Sequence, residues 1–429
     1  MIKKKSIWTD AERSAWSLPE RYTVSEHADA HRILSPISSS EPGRWRTNRT
    51  PYLRDVMDSY TDPGIDTITL LFASQTGKTS AYENIIGYII DQDPAPTMMV
   101  MPTEVIAKSF NKDRLQPMAE LSSTYSKHKT GVEDDFSLKT LVFDRMHLYM
   151  AWANSPAMLA SKPIKNLFLD EIDKFPAFSG KEASPIDLSV ERTKTFWNAK
   201  SCFSSTVTTE EGGIWGRWLL SDQREYHVPC PHCGVYQVFS FSQIKFPKVE
   251  GTIEEIIAKA DVIQSSRLAY YQCIHCGEHI EDKHKQQMLI DGEWRAKNKK
   301  SRNAGFRLNS IYSPWCTFSD VVAKFLKSKH KPEFLMNFVN SWLAEPWKEK
   351  LESRDQTELK VFIRDYPRAV VPEGVGYLTA GIDVQVDHFY YVVRGWGLDL
   401  ESWLIDAGRL NTWDAVEEFI RRLYPSEVH

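Results

Sequence analysis

The stretch Ser74-Gln-Thr-Gly-Lys-Thr79 puts a glycine, a lysine and a hydroxyl in consecutive positions, between the apolar run Thr67–Ala73 and a helix-length segment. A loop in that setting can turn its backbone N–H groups, and those of the following helix start, toward an anion. Lys78 is then within reach of the β- and γ-phosphates of ATP, and the Thr79 hydroxyl can ligate Mg²⁺. Gln75, Thr76 and Gly77 are the loop residues expected to line the phosphates. The full pattern G-x-x-x-x-G-K-[ST] asks for glycine at position 72, where this chain has Phe. Taken alone, the loop therefore also fits a helix N-terminus with an exposed lysine. Roughly ninety residues further on, Asn166-Leu-Phe-Leu-Asp170-Glu171 ends an apolar run in two acids. At the end of a strand, Asp170 can hold Mg²⁺ through water, and Glu171 can polarise the water that attacks the γ-phosphate. Side-chain alternation along a strand would send the two acids to different sides. Either motif alone is weak; together they point to ATP hydrolysis. Asp173 fits a structural cap. Ser204-Ser-Thr206-Val-Thr208 ends a later run in hydroxyls. Thr206 is the candidate to sense the γ-phosphate, against the plainer reading of a polar strand end.

A second chemistry is written in cysteine. Cys230-Pro-His-Cys233-Gly and Cys273-Ile-His-Cys276-Gly are near-identical knuckles with 39 residues between them. Four thiolates from two such turns make the closed tetrahedral site of structural Zn²⁺. Gly234 and Gly277 supply the tight turns. A redox dithiol is disfavoured, because there are two pairs and no thioredoxin-like context. His232 and His275 read as bystanders, and Cys202 and Cys316 as core thiols.

These residues need elements to position them. Apolar runs at 67–73, 97–101, 140–143, 148–152, 166–169 and 201–207 alternate with helix-length segments such as 78–90. That alternation predicts a mainly parallel α/β sheet. Residues 1–60 form a polar arm, 61–221 the P-loop ATPase domain, and 222–300 a zinc-ribbon-like insertion. Amphipathic helices at 318–329 and 333–343 mark a helical region and linker over 301–368, and a fresh β pattern occupies 369–429.

Bulk properties narrow the class. With 42% hydrophobic and 26% charged residues, the 429-residue chain reads as an ordinary globular protein of two or three domains. Its formal net charge of −4 excludes coating nucleic acid by bulk charge, so any DNA contact must come from local patches. No apolar run is long enough to span a bilayer, and Met1-Ile-Lys-Lys-Lys has no apolar stretch behind it. No membrane association and a cytosolic location are expected.

The order of motifs resembles the large terminase subunits of lambda-like tailed bacteriophages. Beyond the loop, the acid pair and the first knuckle, the stretches that carry the resemblance include Pro42-Gly-Arg-Trp45, Thr50-Pro-Tyr-Leu-Arg54 and Pro96-Thr-Met-Met-Val-Met-Pro-Thr103. Asn340-Ser-Trp-Leu-Ala-Glu-Pro-Trp347 and Gly381-Ile-Asp-Val-Gln385 extend it over nearly the whole chain. Members of that family often lack the first loop glycine. The resemblance implies an α/β fold: a RecA/ASCE-like P-loop NTPase with a zinc-ribbon insertion and, at 369–429, the start of an RNase H-like nuclease. It implies ATP-driven packaging of viral double-stranded DNA into procapsids in the cytoplasm of a bacterial host. The partners implied are the small terminase subunit and the portal protein, with a homo-oligomer as a further expectation. By similarity Tyr52 is a candidate to stack on adenine, unless it simply packs beside Pro51. Arg114 is a candidate trans-acting finger. Asp383 matches the first metal-binding carboxylate of the nuclease, with Asp387 and Asp406 as further acids; two-metal cleavage needs several carboxylates around ions about 3.5–4 Å apart. Relatives continue well past the point matching His429, so the nuclease is expected to be incomplete, to bind metal poorly at Asp383 and to cut weakly or not at all. Two other readings stay open: another P-loop DNA translocase or helicase, which would need a second RecA-like sheet, and a prophage remnant that binds zinc and partners without nuclease activity.

Overall fold

Runs of Leu, Ile, Met, Val and Phe without polar alternation need burial on both faces, which a parallel sheet covered by helices provides. In the computed structural model, which describes residues 22–348, 363, 365–385 and 387–426, these runs become strands of one ten-stranded sheet. The first 21 residues of the expected arm and residues 349–362 of the expected linker lie outside the described residues. The strands are β1 (Thr67–Phe72), β2 (Thr97–Met101), β3 (Thr140–Val142), β4 (His147–Trp152), β5 (Asn166–Asp170) and β6 (Lys200–Ser205), followed by β7 (Arg224–Pro229), β8 (Tyr236–Val238), β9 (Glu293–Arg295) and β10 (Asn303–Leu308). Their order is β8-β7-β10-β1-β6-β5-β2-β4-β3, with β9 paired to β7. From β7 to β4 every pairing is parallel; β3, β8 and β9 are antiparallel additions.

Because side chains alternate along a strand, neighbouring residues feed two separate cores. Leu70, Phe72, Met99 and Phe168 enter one; Leu71, Ala73, Met98, Val100, Leu167 and Leu169 enter the other. Helix α1 (Val24–His31), held at its start by a Thr23/Glu26 capping box, packs on α3 (Lys78–Asp91), with the short α2 (Leu53–Asp58) beside them. A buried Arg32–Glu83 ion pair and a His27 Nε2 to Asp91 contact of 3.2 Å join α1 to α3.

Two expectations change. Residues 303–308 fall in the stretch expected to be helical, yet β10 lies beside β1 through six parallel register pairs, Asn303↔Thr67 to Leu308↔Phe72. The amphipathic helices follow it as α6 (Phe318–Ser328) and α7 (Pro332–Leu343). Nor are residues 222–300 a separate module: β7, β8 and β9 widen the ATPase sheet itself. Only the three-stranded sheet of Ile244–Lys245, Tyr270–Gln272 and His279–Ile280, with α5 (Ile253–Ser265), stands apart from it.

Backbone contacts divide the chain into two units, 1–348 and 349–429. The second is an antiparallel meander of β11 (Tyr377–Val384), β12 (Phe389–Trp396) and β13 (Ser402–Leu410), followed by α8 (Trp413–Ile420). Val393, Ile405 and Phe419 form its core. Among the described residues no helix is long and apolar enough to cross a membrane.

Candidate functional site

Strands β1, β6 and β5 are adjacent and parallel, so their C-terminal ends meet at one edge of the sheet, the position where open α/β sheets bind ligands. The loop after β1 curls through two residues in the left-handed region, Gln75 (φ 59°) and Gly77 (φ 96°). The Thr76 hydroxyl donates to the Ala73 carbonyl at 2.7 Å and braces the curl. Only glycine fits position 77: besides the positive φ, a Cβ there would lie 2.8 Å from Leu53 Cδ1. Ser74 N–H donates to the Ser341 carbonyl at 2.9 Å, which ties the loop to α7.

Lys78 Nζ donates to Glu171 Oε1 at 2.6 Å and to the Thr206 hydroxyl at 3.0 Å. The Thr79 hydroxyl lies 3.4 Å from Asp170 Oδ2, and the Ser204 hydroxyl holds Asp170 Oδ1 at 2.5 Å. The loop, the acid pair and the hydroxyl-rich strand end therefore meet, with β6 interposed between the other two strands. Asp170 is buried, and burial raises its carboxyl above the ordinary range against the pull of Lys78. Burial pushes Glu171 the same way, but the charge and hydrogen bond of Lys78, backed by Lys174 at 3.1 Å, outweigh it and hold Glu171 low. One detail departs from the sequence reading. Glu171 is not part of the strand; β5 ends at Asp170, and Glu171 reaches Lys78 through a left-handed backbone (φ 56°, ψ 47°) rather than by alternation. Asp173 accepts from Ile214 N–H (2.8 Å) and from Thr208 N–H and hydroxyl (3.0 Å each), capping the start of the helix Gly213–Leu219. Lys174 and Ser341 were not singled out from sequence, and Ser204 only as part of the hydroxyl run; Ser204 and Ser341 act from neighbouring elements, Lys174 from the turn that Glu171 opens.

A cleft of about 1150 Å³ opens onto the loop, lined there by Lys78, Thr79 and Glu171 and farther out by Arg49, Arg114 and Trp315. Arg114 is part-exposed, 3.7 Å from Glu83 on α3. Tyr52 needs correction. Its side chain is fully buried, edge-on to Tyr226, and it does not line the cleft, so its ring offers no face to adenine.

At the knuckles, the four sulfurs lie within 4.8 Å of one another, with Cys230–Cys276 and Cys233–Cys273 each at 3.9 Å. Thiolates about 2.3 Å from a tetrahedral zinc stand roughly 3.8 Å apart, so the donor set fits that ion; a disulfide would need about 2.05 Å. Gly234 (φ 72°) and Gly277 (φ 75°) make the turns. His232 N–H and His275 N–H each point at a knuckle sulfur at 3.4 Å, an arrangement that favours thiolate. The His232 ring instead contacts the His279 carbonyl. Cys202 is a fully buried thiol, pushed up to about 12 by burial.

In the second unit Asp383 lies exposed on β11, its Oδ2 accepting from Gln385 at 2.7 Å. Asp387 is exposed beside His388. Asp406 is corrected: it is buried and engaged by Arg368 (2.7 Å), Tyr391 (3.1 Å) and Arg422 (3.2 Å), an anchor of the meander rather than a free metal ligand.

Residues 39–294 match the family model for the phage terminase large subunit gpA, ATPase domain, and residues 303–429 that for the terminase large subunit gpA, endonuclease domain. The endonuclease match begins on β10, which belongs to the ATPase sheet. The chain is 26% identical over 410 residues to the terminase, large subunit, of Escherichia phage lambda, covering 90% of this chain. It is 26% identical over 423 residues to that of Enterobacteria phage P21, covering 91%. It spans 62% of the length of each relative. Among solved structures, the HK97 bacteriophage large terminase aligns over 93% of this chain and 69% of its own, at 14% identity and TM-score 0.45.

Proposed function

The chain belongs to the phage terminase large subunit gpA family, and from that premise we propose that it hydrolyses ATP to drive viral double-stranded DNA into procapsids. The observation that carries this reading is the meeting of Lys78, Thr79, Asp170, Glu171 and Thr206 at one sheet edge. In it, Gln75, Thr76, Gly77 and Lys78 bind the phosphates, Glu171 orients and polarises the attacking water, and Thr206 reports the γ-phosphate through its contact with Lys78. Thr79 and Asp170 would hold Mg²⁺, which when bound neutralises charge building on the phosphates. Cys230, Cys233, Cys273 and Cys276 would hold a structural Zn²⁺. Asp383 is the candidate first carboxylate of the nuclease. The partners that fit this role are the small terminase subunit, the portal protein and further copies of this chain, in the cytoplasm of the bacterial host.

The Lys78→Ala and Glu171→Ala variants should each lose DNA-stimulated ATP hydrolysis by about a hundredfold or more, with the zinc content unchanged. Turnover at the wild-type rate in either variant, measured by phosphate release with and without duplex DNA, would refute the assigned roles.

A further inference from the structure

We propose that the loop from Arg295 to Arg302 is a docking surface for the phosphate backbone of double-stranded DNA; this rests on the packaging reading above. Arg295-Ala-Lys-Asn-Lys-Lys-Ser-Arg302 carries five basic residues and no acid, in a chain of net charge −4. The loop joins β9 to β10 and is fixed by its own backbone. Lys297 and Asn298 N–H donate to the Asp222 carbonyl at 2.8 and 3.1 Å, and the Arg302 carbonyl accepts from Asp66 N–H at 2.9 Å. Its outer arginines are already neutralised, Arg295 by Glu293 at 2.7 Å and Arg302 by Asp66 at 2.5 Å. The tip is not. Lys297 stands 3.9 Å from Glu225, and the exposed Lys299 and Lys300 form no ion pair among the described residues.

Two observations select the partner. The tip, Lys297-Asn-Lys-Lys-Ser301, has no apolar or aromatic side chain. Protein–protein interfaces are built on such side chains and are depleted in lysine; lysines among small hydrogen-bonding residues suit phosphate oxygens. The second observation is position. Strands β10 and β1 are parallel, so Leu308 and the phosphate loop stand at their C-terminal ends and the basic loop at the opposite edge. Six residues of strand put about 20 Å between the two. The lysines therefore face an anion other than the nucleotide.

The test titrates the full chain onto a random-sequence DNA duplex at salt from about 50 to 200 mM. It compares wild type with the triple variant Lys297→Ala, Lys299→Ala, Lys300→Ala and with the corresponding triple Lys→Arg. Each lost phosphate contact removes about 0.9 from the slope of log K against log salt. The alanine triple should thus lose about 2 to 3 from the slope and about tenfold or more in affinity at low salt. The arginine triple should keep both, and basal ATP hydrolysis should be unchanged in all. An alanine triple that matches a DNA-binding wild type overturns the assignment; if it meanwhile loses affinity for polyglutamate, the loop serves an acidic protein instead. An arginine triple as weak as the alanine one points to a structural effect and overturns it too. A wild type that binds no duplex even at low salt overturns the packaging reading and the loop with it, a result distinct from the others.

Discussion

Lys285 is a charge with almost no water. Its side chain is buried between the Cys316 carbonyl, to which it donates, and the Phe318 ring at 5.4 Å. Burial brings its ammonium down to about 8, with Cys316, Asp282 and Asp320 pulling weakly the other way. An unfolded lysine titrates near about 10.4, so between roughly pH 8 and pH 10.5 the unfolded chain binds more protons than the folded one. The contribution of Lys285 to stability must rise with pH across that window and be flat on either side of it. Against a Lys285→Met variant, wild type should gain on the order of 3 kcal/mol between about pH 7 and pH 11. Urea unfolding of both proteins at the two pH values reads that difference directly, and a constant gap would discard it. At this scale, what sequence revealed depended on how far apart the interacting residues lie. Gly77, Lys78 and Thr79, or Asp170 and Glu171, are consecutive residues, and the chemistry proposed for them is legible from type and spacing. Tyr52 and Asp406 were misread because their partners are remote or unremarkable in type: Tyr226 shields the first, and Arg368 and Arg422 engage the second.

At the scale of elements, the strand that sequence missed is the one with the least strand-like composition. Asn303-Ala-Gly-Phe-Arg-Leu308 has a glycine where a β-branched residue would ordinarily stand, and glycine inside a strand marks a close approach. Here the approach is by helix α4 (Gly213–Leu219) and the turn after it. A Cβ at Gly305 would overlap the Ser221 hydroxyl and lie 3.3 Å from Trp218, while Gly305 N–H donates to Asp222 at 2.9 Å. Gly305→Ala should therefore destabilise by about 2 kcal/mol or more through overpacking, although alanine is the better residue for chain entropy. Ser221→Ala in the same chain should recover part of the loss, because the hydroxyl is the nearer obstacle. Thermal melts of the single and double variants decide it; a Gly305→Ala chain as stable as wild type would mean the helix yields freely. By contrast β1, β2 and β5, whose residues are nearly all buried, were legible from their unbroken apolar runs. The amphipathic α6 and α7 were legible from their periodicity.

Over the whole molecule, one sheet links the phosphate loop to the cysteine knuckles. The first knuckle is the β7–β8 hairpin itself: Pro229 ends β7, Cys230 follows, and Cys230 N–H donates to the Val235 carbonyl at 3.0 Å. The second knuckle closes the hairpin of Tyr270–Gln272 and His279–Ile280. Holding Cys230 and Cys233 to Cys273 and Cys276 fixes the ends of the 39-residue excursion between them, a loop whose closure costs more entropy the longer it is. Without the proposed Zn²⁺, four sulfurs within 4.8 Å of one another would lack a common counter-charge. Because β7 pairs with β10 and β10 with β1, loosening the knuckles should weaken the sheet that carries the phosphate loop, not the excursion alone. Stripping zinc with a chelator, or the double variant Cys273→Ser, Cys276→Ser, should lower the melting temperature by about 5 °C or more. ATP hydrolysis should fail at the same lowered temperature. Trp294 stacks near Phe72 at the end of β1, so in a variant whose other tryptophans are replaced by Phe it is a fluorescent reporter for that transition. A zinc-free chain whose Trp294 signal and hydrolysis survive to the wild-type temperature would show that the knuckles staple only their own hairpins.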